Sequence, residues 1–239
     1  TNTVGPSGYS NTACLIVQAA TAGVSQIACL YTPTSPQPAG LIAAYSFNEG
    51  NGTSVADASG NGNNGTLVNG PIWVTGQNGS GLSFDGIDDY AVVPDANSMD
   101  LDAAGTMAAW VQLDTLGRWH GIIAKGNTNN DAAHNYALEV TNTNLLRCIL
   151  GTGSISQKLD VPFGSAGIWH HVACIWDGIT IRIYIDKVLA ASAGQTLSPV
   201  GNTASLFIGQ FGGNADRLDG TLDDVHIYNR ALLSTELGF

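Results

Sequence analysis

WHHVACIWDGITIRIYIDKVLA, residues 169–190, is the stretch that decides the fold. Ile181, Ile183 and Ile185 alternate with Arg182, Tyr184 and Asp186. That period of two puts apolar side chains on one face of a strand and polar ones on the other. Asp177-Gly178 precedes it, a dipeptide favoured in tight turns between antiparallel strands, and HHVACIW lies on the far side of that turn. The segment therefore reads as a hairpin with one buried face. The same grammar repeats outward along the chain. Runs such as LIAAYSF, GLSFDG, YAVV, MAAWVQL, GIIAKG, YALEV, LLRCIL, SLFIGQ and LDDVHIY are punctuated by Asn-Gly at Asn51, Asn61, Asn64, Asn69 and Asn78, and by Asp-Gly at Asp85 and Asp219. Apolar spacing of helical period is never sustained, and the best helical candidate is a final turn at 233–237. About a dozen strands at this spacing predict an all-β, two-sheet antiparallel sandwich.

Composition narrows the functional classes. Hydrophobic residues make up 44% of the 239 residues, which excludes intrinsic disorder, and only 11% are charged. Eight Lys+Arg against 19 Asp+Glu give a net charge of −11, which repels nucleic-acid phosphate and anionic lipid. The carboxylates are nearly all aspartates, with glutamate only at Glu49, Glu139 and Glu236. Asp, Asn and Gly suit turns and hard-cation sites more than helices. The balance predicts a secreted protein, extracellular or at the cell surface.

No Asp, Glu, Lys, Arg or His precedes Glu49. A membrane span over Ala13–Tyr31 is interrupted by Gln18, Thr21, Gly23, Ser25 and Gln26 and lacks a basic flank, so no span is predicted. Neither a basic start nor a compact apolar stretch marks a signal peptide, so any such signal is expected to have been removed. The preferred reading is a β-hairpin, ACLIVQAA and GVSQIACL around Thr21-Ala22, which sets Cys14 opposite Cys29. TPTSPQPAG, residues 32–40, reads as an extended linker. The predicted organisation is thus an N-terminal hairpin extension with linker, residues 1–40, and a sandwich over 41–239. Four cysteines suit an oxidising compartment. The register favours Cys14–Cys29 and elimination leaves Cys148–Cys174, both of the latter in strand-like runs on what would be neighbouring antiparallel strands. Two buried free thiols are the alternative for that second pair. Zinc is not indicated: there is no CxxC, and His170 and His171 point to opposite faces of a strand.

AAYSFNEGNGT, DASGNGNNGTL, GLSFDGIDDYAVVP, WHHVACIWDG-ITIRIYIDKVLA and G-TLDDVHIYNRALLSTEL occur in this order. Together they resemble the laminin-G-like (concanavalin A-like jelly-roll) family of the bacterial type, over roughly residues 41–239. The resemblance implies two packed antiparallel sheets of about six or seven strands each. Residues 1–40 have no counterpart in it.

Such a fold hosts lectins, glycosidases, lyases and adhesion modules alike, so function must be argued from residues. The Glu-x-Asp-x-x-Glu pair of jelly-roll retaining glycosidases cannot be built from three scattered glutamates, and Asp88 and Asp89, on alternate faces of a strand, do not replace it. A lyase-like set would have to come from His134, Tyr136 and Arg147. The chain reads as a non-enzyme. The loop DASGNGNNG, residues 57–65, is rich in oxygen ligands and glycine, as Ca²⁺ requires. The family resemblance implies one structural Ca²⁺ held by Asp57, Asn61, Asn63 and Asp223; the alternative is an Asx-turn between Asp57 and Ser59. Trp110, Trp169 and Trp176 sit in strand patterns and read as core. Trp119 differs, because LGRWHG places Arg118, Trp119 and His120 in a polar connection, with Tyr136 ending a second polar loop. An indole flanked by hydrogen-bonding groups offers a sugar ring one face to stack on and partners to orient it. The expected function is non-catalytic recognition or adhesion, with polysaccharide or glycoconjugate as partner. The competing expectation is a structural subunit that self-assembles into a filament or sheath through residues 1–40.

Overall fold

The computed structural model describes residues 13–17, 26–30, 38–213 and 215–238. The chain divides into two compact units, residues 1–39 and 40–239. In the first, Ala13–Val17 and Gln26–Leu30 pair antiparallel, with Cys14 and Cys29 as direct partners. Their side chains, the Thr21-Ala22 turn and most of the Pro-rich linker lie outside the described residues.

The second unit is an all-antiparallel sandwich of two eight-stranded sheets, slightly wider than the resemblance implies. One sheet runs Ser156–Pro162, Leu145–Gly151, Tyr136–Val140, His120–Lys125, Leu206–Ile208, Tyr90–Val93, Gly65–Val68 and Ser54–Val55. The other runs Val188–Gly194, Thr180–Ile185, His170–Trp176, Gly105–Leu113, Asp219–Tyr228, Ser80–Asp85 and Ile72–Thr75, with Leu41–Tyr45 also paired to Asp219–Tyr228. Among the described residues the only helical elements are three 3₁₀ turns, the last of them Ser234–Glu236.

Alternation explains the layers. Met107, Ala109, Val111 and Leu113 from one sheet and Tyr136, Leu138 and Val140 from the other are all fully buried in one core between the sheets. Ile181 and Ile183 point into the same core, whereas Asp186 leaves the strand and turns with Lys187, both at positive φ. Trp176 is the one tryptophan in the core; its indole N–H donates to the Asp102 carbonyl at 3.0 Å. Gly105 is required beside it, because a Cβ there would lie 2.3 Å from the indole. Trp110 and Trp169 are only half-buried, a correction to their core reading. Trp110 has the outward parity of its strand and meets His171 edge-on at 5.3 Å between ring centres.

Cys148 and Cys174 form a disulfide with their Cα atoms 6.0 Å apart. They are not in neighbouring strands, as the sequence led one to expect. Cys148 belongs to Leu145–Gly151 in one sheet and Cys174 to His170–Trp176 in the other. Both have inward parity, so the bond crosses the core, where sheets ordinarily stand about 10 Å apart. In the chain-entropy account, closing the 26-residue separation stabilises by about 3–4 kcal/mol. Replacing both cysteines by alanine is expected to lower the unfolding free energy by that order in urea; an unchanged midpoint would show that the cross-sheet bond contributes nothing.

Candidate functional site

The four proposed sugar-binding residues do not gather in one place. Arg118 and His120 point one way: the Arg118 guanidinium donates to the Gly86 carbonyl and lies 3.7 Å from Asp219, while His120 Nδ1 accepts from the Asp219 N–H at 3.2 Å. Trp119, between them, lies just ahead of the strand that begins at His120. His120 is the first residue of a strand and fully buried, and burial, aided by Arg118, lowers its pKa to about 4. Tyr136 likewise begins a strand instead of ending a loop. It is fully buried, donates its hydroxyl to the Met99 carbonyl at 3.0 Å, and has its pKa driven up by that burial. Neither His120 nor Tyr136 can meet a ligand at the surface. The lyase-like trio is dispersed as well: His134 Nε2 pairs with the Phe211 carbonyl at 2.8 Å, and Arg147 is committed to a carboxylate.

Trp119 instead lies against Arg147, whose guanidinium carbon is 5.6 Å from the indole centre. Arg147 sits mid-strand in Leu145–Gly151, with Glu139 and Asp160 as its direct cross-strand partners. Its Nε and Nη2 donate to the two Asp160 carboxylate oxygens, each at 2.8 Å, and Nη1 faces Glu139 Oε1 at 3.7 Å. Lys158, next to Asp160 on the edge strand, pairs with Asp131. The result is a strip on the outer face of the sheet: a half-buried indole followed by a cross-strand row of fixed donors and acceptors. One side of it is closed by the Gln210–Gly212/Ala215–Arg217 hairpin. That hairpin lies over Gly121, where a Cβ would come within 2.1 Å of the Phe211 nitrogen, so only glycine admits it. Arg147, Asp160 and Glu139 escaped the sequence reading of the binding site. Their signal was a charge in the middle of an apolar strand, as in LLRCIL and YALEV.

Glu139 is 1% exposed, and its Oε2 has no hydrogen-bond partner among the described residues. Burial raises its pKa to about 8 despite Arg147, which favours the neutral carboxyl.

The implied calcium ligands are already engaged in hydrogen bonds within the protein. Asp57 Oδ1 accepts from the Ala44 and Ser59 N–H groups at 3.0 and 2.9 Å. Its Oδ2 accepts from Ser59 Oγ and the Asn63 N–H at 2.8 and 3.0 Å. All four acceptor positions of the carboxylate are thus taken by protein donors. Asn61 and Asn63 turn their amide nitrogens onto the carbonyls of Leu41 and Ile42. Asp223 belongs to another network, accepting from the Asn78 N–H at 2.7 Å and the Asp224 N–H at 2.8 Å. Among the described residues the two aspartates share no hydrogen-bond partner, so these four residues do not fit one Ca²⁺ sphere. The carboxylates that do converge are Asp85, Asp88 and Asp89, within 4.8 Å of one another. Asp88 and Asp89 lie in the turn before Tyr90–Val93, not on alternate faces of a strand. Asp85 there accepts from the Ile87 N–H at 2.8 Å, a turn-stabilising bond.

The two packed antiparallel sheets form a concanavalin A-like jelly-roll sandwich. The model of the concanavalin A-like lectin/glucanases superfamily matches residues 85–238, and the chain belongs to that superfamily. No curated protein matches it. Among solved structures it is similar to the binding domain of Paraclostridial Mosquitocidal Protein 1 (TM-score 0.68, 16% identity, 83% of this chain and 51% of that one). It is similar also to domain 4 of AbnA, a GH43 extracellular arabinanase from Geobacillus stearothermophilus, in complex with arabinotriose (TM-score 0.66, 19% identity, 82% and 96%). A third is Trypanosoma rangeli sialidase (TM-score 0.60, 21% identity, 85% and 33%). The chain spans about half of the toxin domain's length and nearly all of the arabinanase domain's. Solved structures with this fold therefore include binding domains and a part of a sialidase.

Two measurements follow from this geometry. Asp57→Ala removes four hydrogen bonds at once and is expected to cost about 2–4 kcal/mol in urea unfolding, while EDTA leaves the melting temperature of the parent unchanged. A fall in EDTA that the variant abolishes would reinstate calcium. For Glu139 the folded pKa lies above the unfolded one, so its contribution is full below about pH 4.5 and is lost as pH rises through about 8. Glu139→Gln should flatten the decline in stability across that window; identical pH profiles for variant and parent would contradict the assignment.

Proposed function

We propose that this chain is a secreted, non-catalytic glycan-binding module whose ligand lies along the Trp119–Arg147–Asp160 strip. The observation that carries the reading is the half-buried Trp119 indole beside Arg147, with hydrogen-bonding groups held in a row across three strands. An apolar ring face bordered by oriented donors and acceptors meets the two demands of a pyranose or furanose, stacking and hydroxyl recognition. The similarity to an arabinanase domain seen with arabinotriose supports a saccharide partner. The cross-sheet disulfide supports an oxidising compartment. No helix among the described residues is long and apolar enough to cross a membrane. Against catalysis stands the state of the buried groups: Glu139 is shut away from solvent, and His134 and Tyr136 are spent on main-chain carbonyls.

Self-assembly through residues 1–40 is the second reading. Its support is the two-stranded sheet of the first unit, which is marginal in water by itself, in a segment without a formal charge. One experiment addresses both. Trp119→Ala is expected to weaken retention on immobilised polysaccharide at least about tenfold, or 1.4 kcal/mol, with the melting curve unchanged and the full chain sedimenting as a monomer. Retention insensitive to the substitution would dismiss the strip, and large assemblies without ligand would favour the structural reading.

A further inference from the structure

On the strength of that reading, we infer that the strip selects uncharged sugars, and that Asp160 imposes the selection by occupying the donor edge with which Arg147 would otherwise grip an acidic ligand. Arginine recognises carboxylate and sulfate by presenting two parallel N–H groups, a fork that fits two oxygens of one anion. In this protein the Nε and Nη2 pair is already closed on both Asp160 oxygens at 2.8 Å. The remaining Nη1 faces Glu139. The other contact of Arg147 is with Trp119, over whose ring its guanidinium carbon lies, so the pair meets a ligand as one flat, weakly hydrated surface.

The neighbouring cations are balanced in the same way. Lys158 is paired with Asp131, and Arg118 lies 3.7 Å from Asp219. The chain has only eight Lys+Arg in all against 19 Asp+Glu, so no long-range field draws in a polyanion. Glu139 is shut away from solvent at 1% exposure, and burial pushes its pKa up towards the neutral form, so it adds little charge to the strip. On the strip Arg147 and Lys158 are thus each matched by a carboxylate, leaving recognition to stacking and to hydroxyl hydrogen bonds. A ligand bearing uronate, sialate or sulfate would have to break an existing ion pair while approaching a protein of net charge −11. A neutral glycan breaks none.

The test uses the full chain on two immobilised panels, a neutral one (glucan, mannan, arabinan) and an acidic one (polygalacturonate, dextran sulfate), at low and high salt. The parent is expected to be retained on at least one neutral polymer, with no dependence on salt, and to pass through the acidic panel. Asp160→Asn keeps the side-chain shape but frees the Arg147 fork. Retention on the acidic panel should then rise at least about tenfold and be lost in high salt. Asp131→Asn, which frees Lys158, should produce a smaller gain of the same kind. Salt-sensitive retention of the parent on acidic polymers would overturn the inference while leaving glycan binding intact. Folded variants that gain no acidic retention would overturn the role of Asp160. No retention of the parent on either panel would defeat the glycan-binding reading, and this inference with it.

Discussion

The Asp219–Tyr228 strand is the element on which the rest of the sandwich depends. On one side it pairs with Gly105–Leu113; on the other it must satisfy two partners in succession, Ser80–Asp85 and then Leu41–Tyr45. A ladder that changes partner leaves main-chain groups exposed at the change, and a buried unpaired N–H is costly. Asp223 stands at that junction. Its carboxylate, fully buried, takes the Asn78 N–H and the following Asp224 N–H while the strand bulges. Desolvation lifts its pKa to about 6. A residue attractive as a metal ligand is thus engaged in closing the sheet, and Asp57 does comparable work where the 57–65 loop meets Leu41–Tyr45.

The chain uses its few cations sparingly and nearly always in pairs. Lys125, fully buried, is caged by Asp95 at 2.7 Å, Asp100 at 3.3 Å and the carbonyls of Asn202 and Ala204 at 2.9 and 2.6 Å. An ammonium out of water is tolerable only with such a shell. The cage anchors the loop leading into Leu206–Ile208, the strand that pairs with His120–Lys125. The same economy shapes the outer strip, where charge is present but cancelled. Structure and proposed specificity share one cause: in a chain this poor in cations, an unpaired one would be the exception.

Much of the fold was legible in the residues. Alternation in Ile181–Ile185 and in the run ending at Tyr228, and Asp-Gly at Asp177, marked real strands and turns, and the sandwich follows from how many such strands there are. The proposed strip was legible only in part. Trp119 was found because a tryptophan in a polar connection is conspicuous, but its neighbours in sequence proved not to be its neighbours in space. Arg118 and His120 turn to Gly86 and Asp219, and Tyr136 begins a strand whose parity turns it inward.

By itself, then, the sequence determined which segments are strands and which face of each is apolar, because the period of two is built into the covalent geometry of an extended chain and needs no partner to be read. The tertiary structure alone decided what each polar or sulfur-bearing side chain would meet. Cys148 reaches Cys174 across the core and not along a sheet, and Arg147 finds Trp119 and Asp160 only once three strands are in register. Asp57 and Asp223 end in separate networks although the family resemblance joined them. Those encounters are set by strand order, register and the stacking of one sheet on another, all of them contacts between residues far apart in the chain, to which local periodicity is blind.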